Sequence, residues 1–137
     1  MKITVAKGDG IGPEVMSSVL QIFDQARVPL QYKHVEMGKQ VVLAGDKTGI
    51  SESARRSVES TGILFKGPME TPNGGDYKSV NVTARKLWGA FANKRVYRTF
   101  RGVPTPTGAR GLHLTMIREN IEDTHGAVQH PQRPFDF

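Results

Sequence analysis

The sequence predicts an α/β domain with a mostly parallel sheet and flanking helices. Three observations carry this. Short apolar strand patterns alternate with helix-period patterns through most of the chain. The first strand runs directly into a glycine-rich turn and a helix start. The length, 137 residues, is near the commonest single-domain size and allows burial of roughly two-thirds of the unfolded surface without any staple. One domain is therefore expected over residues 1–130, followed by a tail, 131–137, that holds two prolines and no periodicity.

The elements follow in order. Ile3 to Ala6 reads as a short buried strand, and Gly8-Asp9-Gly10-Ile11-Gly12-Pro13 as the turn after it. Proline suits a first helical position, having the right φ and no wasted donor. Val15, Val19, Ile22, Phe23 and Ala26 then recur at helical spacing and predict one apolar face, ended by Val28-Pro29. Leu30, Tyr32 and His34 alternate as a weaker strand. Met37 to Ala44 predicts a short helix closed by Gly45, and Ser51 opens another with Glu52 in its first turn. Ile63 to Phe65 is a compact strand, and Gly67 to Asp76 a loop dense in glycine and proline. Ser79 to Phe91 reads as a helix with Val80, Ala84, Leu87, Trp88 and Phe91 on one face. Arg95 to Phe100 and Leu112 to Ile117 complete the set as strands.

Composition excludes several classes. There are no cysteines, so disulfides, thiolate-metal sites and cysteine nucleophiles are absent together. No apolar run approaches the roughly 18 residues of a membrane span, and the opening residues do not resemble a signal peptide. A cytoplasmic protein without membrane contact is expected. The net charge of +6 is uneven, with no acidic residue between Tyr77 and Arg118 but many lysines and arginines. Such a block attracts anions, whether nucleic acid, a membrane surface or a small polyanion.

Local patterns then supply candidate residues. The glycines at 8, 10 and 12 let the backbone pass close to a ligand between a strand and a helix start, although an ordinary tight turn uses glycine in the same way. The spacing is not the dinucleotide fingerprint, because the third glycine comes one residue early. Ser79 stands at a plausible N-cap, and Asn81 and Arg85 share a helix face four residues apart. Hydroxyl, amide and guanidinium together suit a carboxylate, while a capped, solvated helix face would look alike. Arg95 and Arg118 are either surface charges or, with Arg85, three guanidiniums suited to several carboxylates. The histidines fall at no metal spacing. Trp88, Phe91, Tyr97 and Phe100 interleave the basic block, as in single-strand nucleic-acid binders, but Trp88 and Phe91 also fit a core-facing helix.

Five stretches taken in order resemble the isocitrate/isopropylmalate dehydrogenase family, specifically its N-terminal portion. They are KGDGIGPE (Lys7 to Glu14), FKGPMETP (Phe65 to Pro72), KSVNVTARK (Lys78 to Lys86), FANKR (Phe91 to Arg95) and IRENIEDT (Ile117 to Thr124). The serine and asparagine at 79 and 81 resemble the isocitrate branch; the isopropylmalate branch presents apolar residues there. The resemblance implies that Ser79, Asn81, Arg85, Arg95 and Arg118 bind substrate and that Thr71, Gly10 and Ile11 line the cofactor cleft. It also implies NAD or NADP as cofactor, Mg²⁺ or Mn²⁺ as metal, and oxidative decarboxylation of isocitrate.

The departures shape the expectation. His125 stands where the family has a proton-donating tyrosine, and Val96 where proline is usual. The aspartates that bind the family's metal and most of its cofactor site lie beyond the stretch that this chain resembles. The isolated chain is therefore expected to bind no metal or cofactor and to be inactive alone, while retaining a polycarboxylate site for isocitrate or citrate. Its expected partners are a second copy or a full-length dehydrogenase subunit, which it could serve as a regulatory partner. The rival reading is a non-specific nucleic-acid-binding basic domain; no recognised nucleic-acid motif supports it.

Overall fold

In a computed structural model, residues 1–70, 78–104 and 111–121 are described. The element order is β1 (Lys2–Ala6), α1 (Gly12–Gln25), β2 (Gln31–His34), α2 (Lys39–Leu43), α3 (Glu52–Thr61), β3 (Leu64–Lys66), α4 (Val80–Leu87), β4 (Ala92–Arg98) and β5 (His113–Glu119). The chain divides into two compact units, Met1–Ala84 and Arg85–Phe137. The α/β class with a parallel sheet is as the sequence predicts. The expected tail, 131–137, lies outside the described residues.

In the first unit, β1 is central in a parallel sheet of order β2-β1-β3, with Ile3 opposite Tyr32 and Val5 opposite Phe65. Successive residues of a strand point to opposite faces. Ile3 and Val5 pack with Met16 and Leu20 of α1, supported by Phe23, Leu30, Tyr32 and Phe65. Thr4 faces the other way, onto α3, where its hydroxyl lies 2.8 Å from both the Ser57 and the Thr61 hydroxyls. The two helices thus cover opposite faces of one sheet.

Thr4 has no exposed surface, so that hydroxyl is tolerable only because it is paired. Thr4→Val keeps the shape and leaves Ser57 short of a buried partner. Chemical denaturation should show a loss of about 1–3 kcal/mol.

Helix α1 rolls differently from the sequence expectation. Its buried residues are Gly12, Met16 and Leu20, whereas Val15 and Ile22 are 45% and 62% exposed. The cause is Gly12. A β-carbon there would lie 2.4 Å from the Lys7 carbonyl oxygen, so only the glycine side of the helix can approach the preceding turn. Once Gly12 faces inward, residues at four-residue steps follow it and the valine stripe turns outward.

Helix α3 starts and stops where its signals stand. The Ser51 hydroxyl accepts from the Ala54 amide at 3.2 Å, and Gly62 closes the helix at φ +69°. Between α2 and α3, the Thr48 hydroxyl donates to Asp46 and holds that carboxyl below the usual range. The same turn brings Gly49 beneath the fully buried Val80, which anchors the start of α4.

Helix α4 ends earlier than expected. Gly89 adopts φ +60°, its amide donates to the Lys86 carbonyl, and the Ala90 amide donates to the Arg85 carbonyl at 2.8 Å. This double return bond terminates a helix by reversing the chain through a left-handed glycine. Phe91 is consequently outside the helix and 70% exposed, not part of its apolar face.

In the second unit, β4 and β5 form an antiparallel ribbon, with Asn93 opposite Arg118 and Arg95 opposite Met116. The Asn120 amide donates to the Ala90 carbonyl at 3.2 Å and ties the end of β5 to the segment before β4. Every residue of β5 is exposed.

Candidate functional site

The glycine turn stands at the carboxyl end of the central strand. Gly8 and Gly10 have φ of +77° and +58°, a region only glycine enters readily. The turn is locked to two distant segments through Asp9. Its carboxylate accepts from the Lys39 amide and the Glu70 amide, both at 2.9 Å, and its own amide donates to the Pro68 carbonyl at 2.8 Å. Gly38 is required beside it, because a β-carbon there would run into that carboxylate. One side chain therefore holds three connections together: the turn after β1, the start of α2 and the segment after β3.

A cleft of about 430 Å³ opens at the same end of the sheet, lined by Val5, Lys7, Gly8, Pro13, His34, Val35 and Glu36. Open α/β sheets bind ligands in crevices outside the carboxyl ends of their strands. Sequence reasoning passed over Asp9, His34 and Glu36. For Asp9 and Glu36 the available signal was their position just after strand patterns, where loops carry function.

The Gly12 amide is spent on the Asp9 carbonyl, Pro13 has no donor, and Glu14 places a carboxyl in the first turn of α1. What Gly10 and Ile11 offer is an apolar surface, since Ile11 is 68% exposed. That suits a flat ring of a dinucleotide better than its pyrophosphate.

The predicted substrate-binding residues fall into two groups. Ser79 and Asn81 belong to the first unit; Arg85, Arg95 and Arg118 to the second. Along α4, the Ser79 carbonyl accepts the first helical bond from the Thr83 amide at 2.9 Å, as at an N-cap. Asn81 and Arg85 follow one turn apart on one face, both half-buried. The Asn81 Oδ1 is buried without a hydrogen-bond partner, so a donor placed there would meet an acceptor that is otherwise unpaired.

On the ribbon, Arg95 and Arg118 are diagonal neighbours. Asn93, Arg95 and Arg118 share one face, because Asn93 pairs directly with Arg118 and Arg95 lies two residues along. The Arg95 Nε donates to Asn93 Oδ1 at 3.2 Å, which holds the guanidinium along that face. Thr71 and His125 lie outside the described residues. Among the described residues, no group of three His, Cys, Asp or Glu side chains is placed to hold a metal ion. They do not fit the divalent metal that the resemblance implies. Also among the described residues, no helix is long and apolar enough to cross a membrane.

A parallel sheet with a glycine turn leaving its central strand and a cleft at the strand ends is the arrangement of a ligand-binding α/β protein. Residues 2–134 match the isocitrate/isopropylmalate dehydrogenase family. The chain belongs to that family.

Its relatives include the NADP isocitrate dehydrogenase of Thermus thermophilus, 43% identical over 96% of this chain and 27% of the relative. Another is subunit 2 of the mitochondrial NAD isocitrate dehydrogenase of Schizosaccharomyces pombe, 36% identical over 96% of this chain and 34% of the relative. Among solved structures, the TT0538 protein of Thermus thermophilus superposes with a TM-score of 0.81 at 42% identity, covering 98% of this chain and 27% of the other. The isocitrate dehydrogenase of Methylococcus capsulatus gives 0.76 at 32% identity, covering 94% and 37%. The chain thus spans about a quarter to a third of the length of these proteins.

Proposed function

We propose that this chain carries the isocitrate-holding portion of an NAD- or NADP-linked isocitrate dehydrogenase, and that alone it binds polycarboxylates without turning them over. The observation that carries this reading is the pair of guanidiniums, Arg95 and Arg118, set diagonally on one ribbon face. Two adjacent cations in solvent repel, and a polyanion relieves that repulsion. The resemblance assigns Ser79, Asn81 and Arg85, on α4 and its start, to the same substrate, and a ligand hydroxyl would satisfy the orphaned Asn81 oxygen. The exposed Ile11 would pack against a cofactor ring, to which the resemblance also assigns Thr71. When bound, the cofactor supplies the hydride acceptor; this chain's residues hold the carboxylates and fix their orientation.

A thermal-shift titration tests the reading. Isocitrate at a hundred times its dissociation constant should add about 2.7 kcal/mol of apparent stability by mass action. Arg85→Ala should remove most of the shift, because it deletes a charge-assisted pair. Arg56→Ala should preserve it, since that side chain is exposed on α3 and pairs with Glu52 one turn away. Rigorously purified chain supplied with isocitrate, NAD(P) and Mg²⁺ should show no turnover. Turnover would overturn the incompleteness, and no shift at millimolar polycarboxylate would overturn the site.

A further inference from the structure

We propose that Asn93 is a positioning residue of the substrate face: its side chain takes the Nε edge of Arg95 and leaves that guanidinium to meet a ligand carboxylate end-on, through its two Nη groups. The inference rests on the polycarboxylate reading above and deepens it, by naming how one of the cations is aimed. Asn93, Arg95 and Arg118 stand on one ladder of the second unit, and the Arg95 Nε donates to Asn93 Oδ1 at 3.2 Å. Asn93 is half-buried, whereas every other residue of β4 is exposed.

The ladder sets this amide beside both cations. Along β4 it lies two residues before Arg95, about 7 Å away at the Cα atoms and on the same face. Across the ladder it lies directly opposite Arg118. The Thr99 amide donates to the Leu112 carbonyl at 3.0 Å, and bonded pairs recur at every second step of an antiparallel ladder. Asn93 and Arg118 are therefore a bonded pair too, with Cα atoms about 5.5 Å apart. A short neutral side chain thus has a long cation on each of two sides.

The bond decides how Arg95 can meet an anion. A guanidinium offers a carboxylate two bidentate edges, one made by the Nη pair and one by Nε with an Nη. Nε carries a single hydrogen, and Asn93 has it. The Nη edge remains, at the far end of the side chain. Without the amide, an exposed arginine samples many rotamers, and binding must first select one of them.

The residue type fits a site better than a brace. Aspartate at this position would hold Arg95 by a charge-assisted bond roughly twice as strong, and would face Arg118 as well. It would also cancel the charge that attracts a polyanion. Asparagine supplies the acceptor and keeps both cations. Its Oδ1, the one atom of the side chain that an anion avoids, is engaged by Arg95.

Calorimetric titration of citrate into the full chain tests the proposal. Asn93→Ala should weaken binding about five- to tenfold by releasing Arg95, with circular dichroism confirming that the sheet persists. In an Arg95→Lys background the same substitution should matter less than about twofold, because an ammonium is a point charge with no fork to aim. Asn93→Asp should weaken binding about thirtyfold or more, while the chain melts no earlier than the wild type. Equal losses from Asn93→Ala in the two backgrounds, or undiminished binding by Asn93→Asp, would overturn the proposal. If Asn93→Ala binds citrate as the wild type does, the role of Asn93 falls and the substrate reading stands. If the wild-type chain binds no citrate, the substrate reading falls and takes the positioning role with it.

Discussion

Gly8→Ala should cost the first unit roughly 3–5 kcal/mol, the sum of a strained left-handed alanine and a backbone collision. The added β-carbon would stand 1.9 Å from the Pro68 carbonyl oxygen, and φ there is +77°. Neither problem can be relieved alone. Moving the Pro68 carbonyl away breaks its 2.8 Å bond from the Asp9 amide, and moving the turn carries Asp9 away from Lys39 and Glu70. For a unit of this size each kcal/mol is worth about 4 °C or more, so a melting temperature lowered by at least ~12 °C is expected. Gly45→Ala is the matched control. Its φ is also positive, at +109°, but a β-carbon there meets nothing within 4 Å. A comparable loss in both variants would mean that backbone conformation, not the collision, sets the cost.

The contrast between these glycines shows which parts of the structure were legible. Helix α3 could be read at its start, because Ser51 and Glu52 act on their immediate neighbours, whereas its end at Gly62 was not anticipated. The strand order could be anticipated only as a class, since pairing joins β1 to segments near residues 31 and 64. The face of α1 was misjudged for a definite reason. Valines at helical spacing define a stripe, but the contact that decides the roll is a missing side chain at Gly12. Gly89 was visible in the sequence, yet the apolar Phe91 beyond it pulled the expected helix end too far.

The candidate site was legible through resemblance more than through spacing. Asn81 and Arg85 could be placed on one face from helix geometry. The diagonal relation of Arg95 and Arg118 could not, because it depends on a ladder joining residues more than twenty apart. The role of Asp9 could not be read locally, since its partners lie 30 and 61 residues away.

Asp9→Ala should therefore be the costliest polar substitution at the strand ends. It removes the acceptor of two backbone donors, and hydrogen bonds to a charged group are worth about 1.5–3 kcal/mol each. Lost together, with Lys39 and Glu70 partly recovering water, they imply a destabilisation of about 3 kcal/mol. Asp9→Asn keeps an acceptor of the same shape without the charge, so about 1 kcal/mol is expected there. Hydrogen exchange separates this from general loosening. The amides of Lys39 and Glu70 should lose protection in Asp9→Ala, while those of Val5 and Ala6, bonded within the sheet, should fall only as far as global stability does. The Lys39–Glu70 ion pair spans the same two segments at 3.4 Å, but both side chains are about half exposed. Such pairs contribute ~0–1 kcal/mol, so Glu70→Gln should leave both stability and exchange nearly unchanged. If Glu70→Gln matches Asp9→Ala, the surface pair and not the buried-edge carboxylate holds the three connections.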